Sequence, residues 1–405
     1  MKVAVMGYGT VGSGVVEVIE THQNTISKGT NGQAMEVAKI LDLRDFPGDS
    51  HEGLFTKDFN DILKDDEIKV VAETMGGVNP AFDFTMKLLK AGKSVVSSNK
   101  ELVAQKGPEL LEAAEESGAN YLFEASVGGG IPIIRPMSQC LVANNIEGIA
   151  GILNGTTNFI LTKMIEDGMT FEDALKLAQD NGYAEKDPTA DVEGFDACRK
   201  VCILASLAFG KHVYPNQVET EGISNITLED VSYIAGIGGV IKLLGQIKYI
   251  NENKIAAFVS PAVVFNGSQL ASVNGVFNAI LVRGDAVGDV CFYGPGAGKL
   301  PTASAVVADM VDCVKHINRK KYFGWGSGAE DYVVDYKECI EMPFYVRAKA
   351  SENKIKSTFG EVKFLSRIGQ PGGEVAFITD KMTQNELTGK LQDIEVINII
   401  KVTNY

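Results

Sequence analysis

The chain has 405 residues, 45% of them hydrophobic, and a formal net charge of −14. Its length supports two or three domains with substantial cores. The negative balance, with no basic cluster to offset it, excludes nucleic acid and an anionic membrane surface as principal partners.

No run of about 18 apolar residues is present, so no membrane span is expected. Residues 1–7 enter a strand-like run at once, without the apolar core and cleavage site of a signal peptide. Cys140, Cys198, Cys202, Cys291, Cys313 and Cys339 are dispersed among apolar neighbours. Their spacing suits neither a zinc site nor a disulfide framework. They read as reduced core thiols, and a cytoplasmic location is expected. The four histidines have no close Cys or His partner in sequence, which argues against a histidine-based site.

Taken in chain order, residues 2–6 predict a short buried strand, followed by Gly7-Tyr8-Gly9-Thr10-Val11-Gly12 and a helical pattern over 15–20. A loop rich in Gly and Asn (28–33) precedes a second strand at 36–41. Further strands are expected at 70–74, 94–97 and 121–124. Helices are expected at 82–90 and at 107–117, the latter with Pro108 near its start. Strands alternating with helices of this length indicate a parallel α/β sheet.

Beyond residue 130 the rhythm changes. Helices dominate 160–209, and strand-like pieces return at 247–250, 256–259 and 277–282. A glycine turn at 293–298 opens an apolar helix over 301–317. Residues 320–336 read as a linker. The last 65 residues read strand (344–350), helix (354–359), strand (362–367), strand (374–379), helix (384–391), strand (396–402). That is a βαββαβ order, with a hairpin turn expected at 369–373.

The expected fold is therefore α/β, with a Rossmann-type dinucleotide-binding domain at 1–130 plus the helix near 300–318. An α+β catalytic and dimerisation domain at 131–299, a linker at 319–340 and a C-terminal module at 341–405 complete it.

Gly7-x-Gly9-x-x-Gly12 lies between a strand and a helix, the context a dinucleotide fingerprint requires. The first glycine makes the tight turn, the second lets the backbone approach a pyrophosphate, and the third lets helix and strand pack closely. The helix N-terminus then offers N–H groups to the phosphates. The second strand ends in Leu41-Asp42-Leu43-Arg44. Asp42 suits a ribose 2′-hydroxyl and Arg44 a 2′-phosphate, so NAD and NADP both remain open.

The stretch 178–200 carries a Gly-Tyr-Ala turn, several carboxylates, and Asp196 and Lys200 four residues apart at the head of an apolar helix. Four residues is one helical turn, so the two side chains share a face. Burying them is costly. Spacing alone leaves a structural ion pair and a reactive site equally open.

With these residues in view, the chain resembles the homoserine dehydrogenase family. The family's signature is matched by Ala178, Gly182, Tyr183, Ala184, Asp187, Pro188, Asp191, Val192, Gly194, Asp196 and Lys200. Similar pieces occur at 73–77, 98–100, 124–132, 154–158 and 294–305, so the resemblance covers residues 1–318.

It implies reduction of L-aspartate 4-semialdehyde to L-homoserine by NADPH or NADH, in threonine and methionine biosynthesis. Lys200 would be the acid/base, and Glu185, Asp191 and Asp196 would hold the substrate. The 154–158 loop, with Thr156, would serve the substrate carboxylate. Thr10, Val11, Thr74, Lys100, Gly182 and Gly298 would line the cofactor. Glu124 and the backbone oxygens of Val127, Gly129 and Ile131 resemble a sodium site, of the hard-oxygen kind such cations take; a flexible crossover is the alternative reading of that loop. A homodimer or homotetramer is also implied.

The 341–405 module resembles an ACT domain. After its first strand, Ala350-Ser351-Glu352-Asn353-Lys354 lacks the Pro and Gly that let a ligand approach closely, which favours a structural or oligomerising role over threonine sensing. Two rival functions are weaker. A dehydrogenase acting on aspartyl phosphate needs an activated cysteine, and no cysteine here sits in a suitable loop. A nucleotide-sensing regulator would not need Lys200 and its carboxylates.

Overall fold

In the computed structural model, which describes residues 1–317, 319–403 and 405, the chain divides into two units. The first comprises Met1–Ala143, Cys202–Pro215 and Gly294–Ala329; the second comprises Asn144–Val201, Asn216–Tyr293 and Glu330–Tyr405. Positions 318 and 404, which fall within the expected helix segment near 300–318 and the expected C-terminal module, lie outside the described residues. Among the described residues no helix is long and apolar enough to cross a membrane.

The first unit is built on six strands: β1 (Lys2–Met6), β2 (Glu36–Leu41), β3 (Phe55–Thr56), β4 (Ile68–Glu73), β5 (Ser94–Ser97) and β6 (Tyr121–Leu122). All pair in parallel, in the order β3-β2-β1-β4-β5-β6. That is the strand order of a dinucleotide-binding sheet, with its switch point beside β1. Val3, Val5, Val70 and Ala72 are fully buried because helices cover both faces. The Thr10–Thr21 helix packs Val15, Val16 and Ile19 into the same core as Val306 and Met310 of the Lys299–Lys315 helix.

The helix expected from 107 begins at Lys100 and runs to Ser117, with Pro108 inside it. Asn99 starts it, its side chain accepting the Leu102 N–H at 3.1 Å. Pro108 marks an interior position, not a start.

The second unit is a mixed sheet. Its strands are β7 (Ile146–Ile152), β8 (Glu219–Thr220), β9 (Gly239–Asn251), β10 (Lys254–Phe265), β11 (Phe277–Gly284), β12 (Gly288–Pro295), β13 (Phe344–Lys349), β14 (Lys363–Leu365), β15 (Glu374–Ile378) and β16 (Glu395–Val402). The order is β12-β11-β7-β9-β10-β16-β13-β15-β14, with β8 beside β10. β9 and β10 extend well beyond the short pieces expected at 247–250 and 256–259. Both are buried on two faces, so neither shows the alternation that marks a half-exposed strand.

The C-terminal stretch has the expected βαββαβ order, with helices at Glu352–Phe359 and Gln384–Lys390. Its last strand continues the sheet: β16 pairs in parallel with β10 through Ala262↔Lys401 and Val263↔Val402. The expected linker is packed rather than loose. Trp325 and Tyr332 are buried, and Gly326 and Val333 form isolated bridges to Lys211 and Ile255. The thiols also divide differently from expectation. Cys198, Cys202 and Cys313 are buried, whereas Cys140, Cys291 and Cys339 are exposed. Cys291 lies on β12, an edge strand whose flanking residues alternate between half-exposed and exposed.

Candidate active site

Asn154 organises the polar cluster of the second unit. It ends the extended backbone after β7 and caps the Gly155–Asp167 helix, its side-chain oxygen accepting the Thr157 N–H at 2.9 Å. Its amide nitrogen donates to Asp191 Oδ1 at 2.7 Å and to Asp196 Oδ2 at 3.0 Å. One amide thus joins two carboxylates from separate elements, the short Thr189–Val192 helix and the Phe195–Phe209 helix.

Asp196 and Lys200 share a face of the latter helix, as their spacing predicts. Lys200 Nζ donates to Asp196 Oδ2 and to the main-chain oxygen of Leu153, both at 2.6 Å. Lys200, Asp196 and Asn154 are all more than nine-tenths buried. Burial pushes the Asp191 carboxyl above its ordinary range and the neighbouring Asp196 adds to this, while Asn154 and Thr156 oppose it. Thr156 gives its hydroxyl proton to the Tyr183 carbonyl at 2.8 Å, which ties the helix start to the turn after Gly182. Glu185 is exposed on that turn, and its carbonyl accepts from Gln179 at 3.1 Å. Gly182, also exposed, adopts a positive φ of 74° just after the Phe171–Asp180 helix.

The glycine loop belongs to the first unit. Gly7 has φ 93°, and a side chain on Gly12 would place its Cβ 1.9 Å from the Gly7 oxygen, so strand and helix meet there only through glycine. Thr74, at the end of β4, donates its hydroxyl to the Gly7 oxygen at 2.9 Å. Gly9, Thr10 and Val11 begin the adjoining helix. Lys100 begins the helix after β5, and Gly298 precedes the Lys299–Lys315 helix with φ 118°.

Asp42 takes the Tyr8 N–H at 2.8 Å. It is also gripped by Arg44 through Nε at 3.0 Å and Nη2 at 2.9 Å. The Arg44 guanidinium is the main reason the Asp42 carboxyl lies well below the usual carboxylate range. Arg44 itself is exposed. A dinucleotide loop in one unit and a buried lysine held by clamped carboxylates in the other are the parts a hydride-transfer enzyme needs.

Comparison with known proteins agrees. The homoserine dehydrogenase NAD binding domain model matches residues 7–124, and the homoserine dehydrogenase model matches residues 132–311. The chain is 37% identical to the homoserine dehydrogenase of Bacillus subtilis (strain 168), across 100% of this chain and 97% of that one. A homoserine dehydrogenase crystal structure from Thiobacillus denitrificans superposes with TM-score 0.90 at 34% identity, covering 100% of this chain and 98% of that one.

The chain belongs to the homoserine dehydrogenase family. It is accordingly an NAD(P)-dependent oxidoreductase acting on a small molecule. A hyperthermophilic archaeal homoserine dehydrogenase in complex with NADPH is also similar, with TM-score 0.65 at 29% identity, over 77% of this chain and 97% of that one.

Within the first unit, Glu124 is buried and accepts the main-chain N–H groups of Ile133 (2.6 Å), Ile134 (2.7 Å) and Arg135 (2.8 Å). Its carboxylate closes the loop that carries Val127, Gly129 and Ile131. Two parts of the polar cluster escape a reading of residue types. Leu153 contributes a main-chain oxygen, which leaves no mark in sequence. Asn154 joins Asp191 to Asp196 across 37 and 42 residues; its place ahead of Gly155 announces a helix cap but not the two carboxylates.

Proposed function

We propose that the chain reduces L-aspartate 4-semialdehyde to L-homoserine, and runs the reverse oxidation, with Lys200 as the acid/base. The observation that carries this reading is the Lys200 ammonium, buried and fixed by the Leu153 oxygen and Asp196. NADPH or NADH, when bound, supplies the hydride. Reduction leaves negative charge on the aldehyde oxygen, and a positioned ammonium stabilises it and delivers a proton, directly or through one water.

Asp196 keeps the lysine pointed along one direction. Asp191 and Glu185 supply negative charge for the substrate ammonium. The first turn of the Gly155–Asp167 helix, with Thr156, offers N–H groups for the substrate carboxylate. On the cofactor side, Gly7, Gly9, Thr10, Val11 and Gly12 would hold the pyrophosphate, and Thr74, Lys100, Gly182 and Gly298 the nicotinamide end.

Following NADH and NADPH oxidation with aspartate semialdehyde tests the reading. Lys200→Ala is expected to lower turnover by ~10²–10⁴ with cofactor binding intact. Near-normal turnover would overturn the assignment.

The carbonyl oxygens of Val127, Gly129 and Ile131, with Glu124, are hard donors of the kind a sodium ion takes; with the ion present they would brace the chain where it leaves the dinucleotide sheet. The 341–405 module is read as an ACT-like domain with a structural or associating role. Support comes from β16 continuing the sheet at β10 and from a first turn capped by Ser351 without Pro or Gly. A cytoplasmic homodimer or homotetramer completes the reading, and light scattering tests the association.

A further inference from the structure

Lys242 lies on β9 and is 1% exposed. Its ammonium donates to the Val273 carbonyl at 2.6 Å, to Asn274 Oδ1 at 3.0 Å and to Asn158 Oδ1 at 3.2 Å. All three acceptors are neutral oxygens. Asn274 in turn donates to Glu166 Oε1 at 2.8 Å, so the nearby acid is hydrogen-bonded to the amide and acts on the lysine by charge across space. A buried ammonium held this way costs more than an apolar side chain of the same length would. That cost points to a role in which the charge matters.

The groups it holds lead back to the substrate cluster. Asn158 is in the first turns of the Gly155–Asp167 helix, and its amide donates to the carbonyls of Val273, Gly275 and Phe277 at 3.0–3.1 Å. Gly275 N–H donates to Thr162 Oγ1 at 3.0 Å, which pins the same loop one turn further on. The loop presses on the helix start: a Cβ on Gly155 would lie 2.7 Å from the Val276 oxygen. Gly155 stands between Asn154, which clamps Asp191 and Asp196, and Thr156. Lys242 therefore fixes the loop that backs the substrate turn, and adds positive charge behind a helix N-terminus that is already electropositive.

We propose that Lys242 is a positioning residue for substrate binding: it sets the 154–156 turn from behind and strengthens its hold on the α-carboxylate of the amino-acid substrate. The proposal rests on the reading of that turn as the carboxylate end of the site. It assigns Lys242 to affinity for the substrate, not to proton transfer or cofactor binding.

The test is steady-state kinetics with aspartate semialdehyde on the full-length enzyme. Lys242→Met keeps most of the unbranched side-chain length and removes the charge. It is expected to raise KM for the semialdehyde roughly ten-fold, with kcat and the cofactor KM within about three-fold of the parent. Asn274→Asp keeps the lysine and places a counter-charge against its ammonium on an exposed residue; it should raise KM in the same direction and decides the matter if Lys242→Met does not fold. Lys242→Arg, which restores the charge, should recover most of the affinity.

Unchanged KM in a folded Lys242→Met enzyme overturns the proposal. So does a fall in kcat and thermal stability with KM unmoved. Lys200→Ala, assayed alongside, separates the two readings. Loss of turnover there with normal KM in Lys242→Met removes only the role of Lys242, whereas near-normal turnover in Lys200→Ala removes the reading of the site itself.

Discussion

The Lys200 ammonium lies 2.6 Å from the main-chain oxygen of Leu153, the residue immediately before Asn154. Lysine and clamp are thus set by the same end of β7. Asn154 carries three duties: it caps its helix and bonds both Asp191 and Asp196. Asn154→Ala removes all three. Loss of a cap of this kind costs about 1 kcal/mol of stability. The larger effect is expected on catalysis, because the buried Asp196 and the half-buried Asp191 lose their shared donor and are free to repel each other. The value of kcat/KM should fall roughly 10–100-fold, about the loss expected for one or two hydrogen bonds to charged groups, while cofactor binding measured by fluorescence titration stays within two-fold.

In the proposed cofactor site, Arg44 and Asp42 should bias cofactor choice in opposite senses. With Arg44 in place, the Asp42 carboxylate is already engaged by the guanidinium and by the Tyr8 N–H, while the exposed guanidinium is available to a 2′-phosphate. Arg44→Ala should therefore raise KM for NADPH about ten-fold or more, in line with the loss of a charge-assisted hydrogen bond. KM for NADH should hold or fall, since the released carboxylate suits a ribose 2′-hydroxyl. Equal effects on the two cofactors would exclude this role.

Much of the dinucleotide unit was legible because its signals are local. β2 and β5 occur at 36–41 and 94–97, as their apolar runs indicate, and Gly7, Gly9 and Gly12 mark the turn between strand and helix. The Asp196–Lys200 pair was legible because helical periodicity is itself local. What sequence concealed is non-local or main-chain. β7 is broken to the eye by Gly148, Ala150 and Gly151, yet it is a buried strand flanked by β9 and β11. The start of the Lys100–Ser117 helix was hidden by Pro108, whose usual meaning is a helix boundary. The packing of 320–336 depends on partners far away in the chain, so its Gly and aromatic content read as a linker.

Asp230 ties the C-terminal strands to the rest of the second unit. It is fully buried and receives Tyr345 OH at 2.9 Å and Asn398 Nδ2 at 2.7 Å; the Arg347 guanidinium, also buried, lies 3.0 Å from its carboxylate. Removing one partner of a buried ion pair costs roughly 3 kcal/mol or more. Asp230→Ala should therefore lower the denaturant midpoint for loss of activity as well as for loss of secondary structure, because β13 and β16 belong to the same sheet as β9 and β10. If activity survived to the parent midpoint while the secondary-structure transition split in two, the module would be an independently folding attachment. Because the turn after β13 lacks the Pro and Gly that let a ligand approach closely, added L-threonine is expected to leave turnover unchanged.

His212 and Trp325, the single tryptophan of the chain, form a pH-sensitive contact in the first unit. Trp325 Nε1 donates to His212 Nδ1 at 3.1 Å. An indole N–H can only donate, so Nδ1 must accept and the imidazole proton resides on Nε2. The buried Nε2 makes no hydrogen bond among the described residues. Burial is the main cause that brings His212 down to about 4. The Ala104 carbonyl, deprived of its helical donor because Pro108, four residues on, has no N–H, acts in the opposite sense to raise the imidazole pKa. Its folded pKa therefore lies below the unfolded value of ~6.5. The unfolded chain takes up the proton first as pH falls, so this contribution is present above about 6.5 and is lost progressively between about 6.5 and 4. The loss amounts to at most about 3 kcal/mol. Chemical denaturation monitored by Trp325 fluorescence should show stability decreasing across that interval. In His212→Gln, whose amide oxygen can still accept from Trp325 but which does not titrate, this component of the slope should disappear. An unchanged pH dependence in the variant would show that the acid sensitivity of the fold comes from other groups.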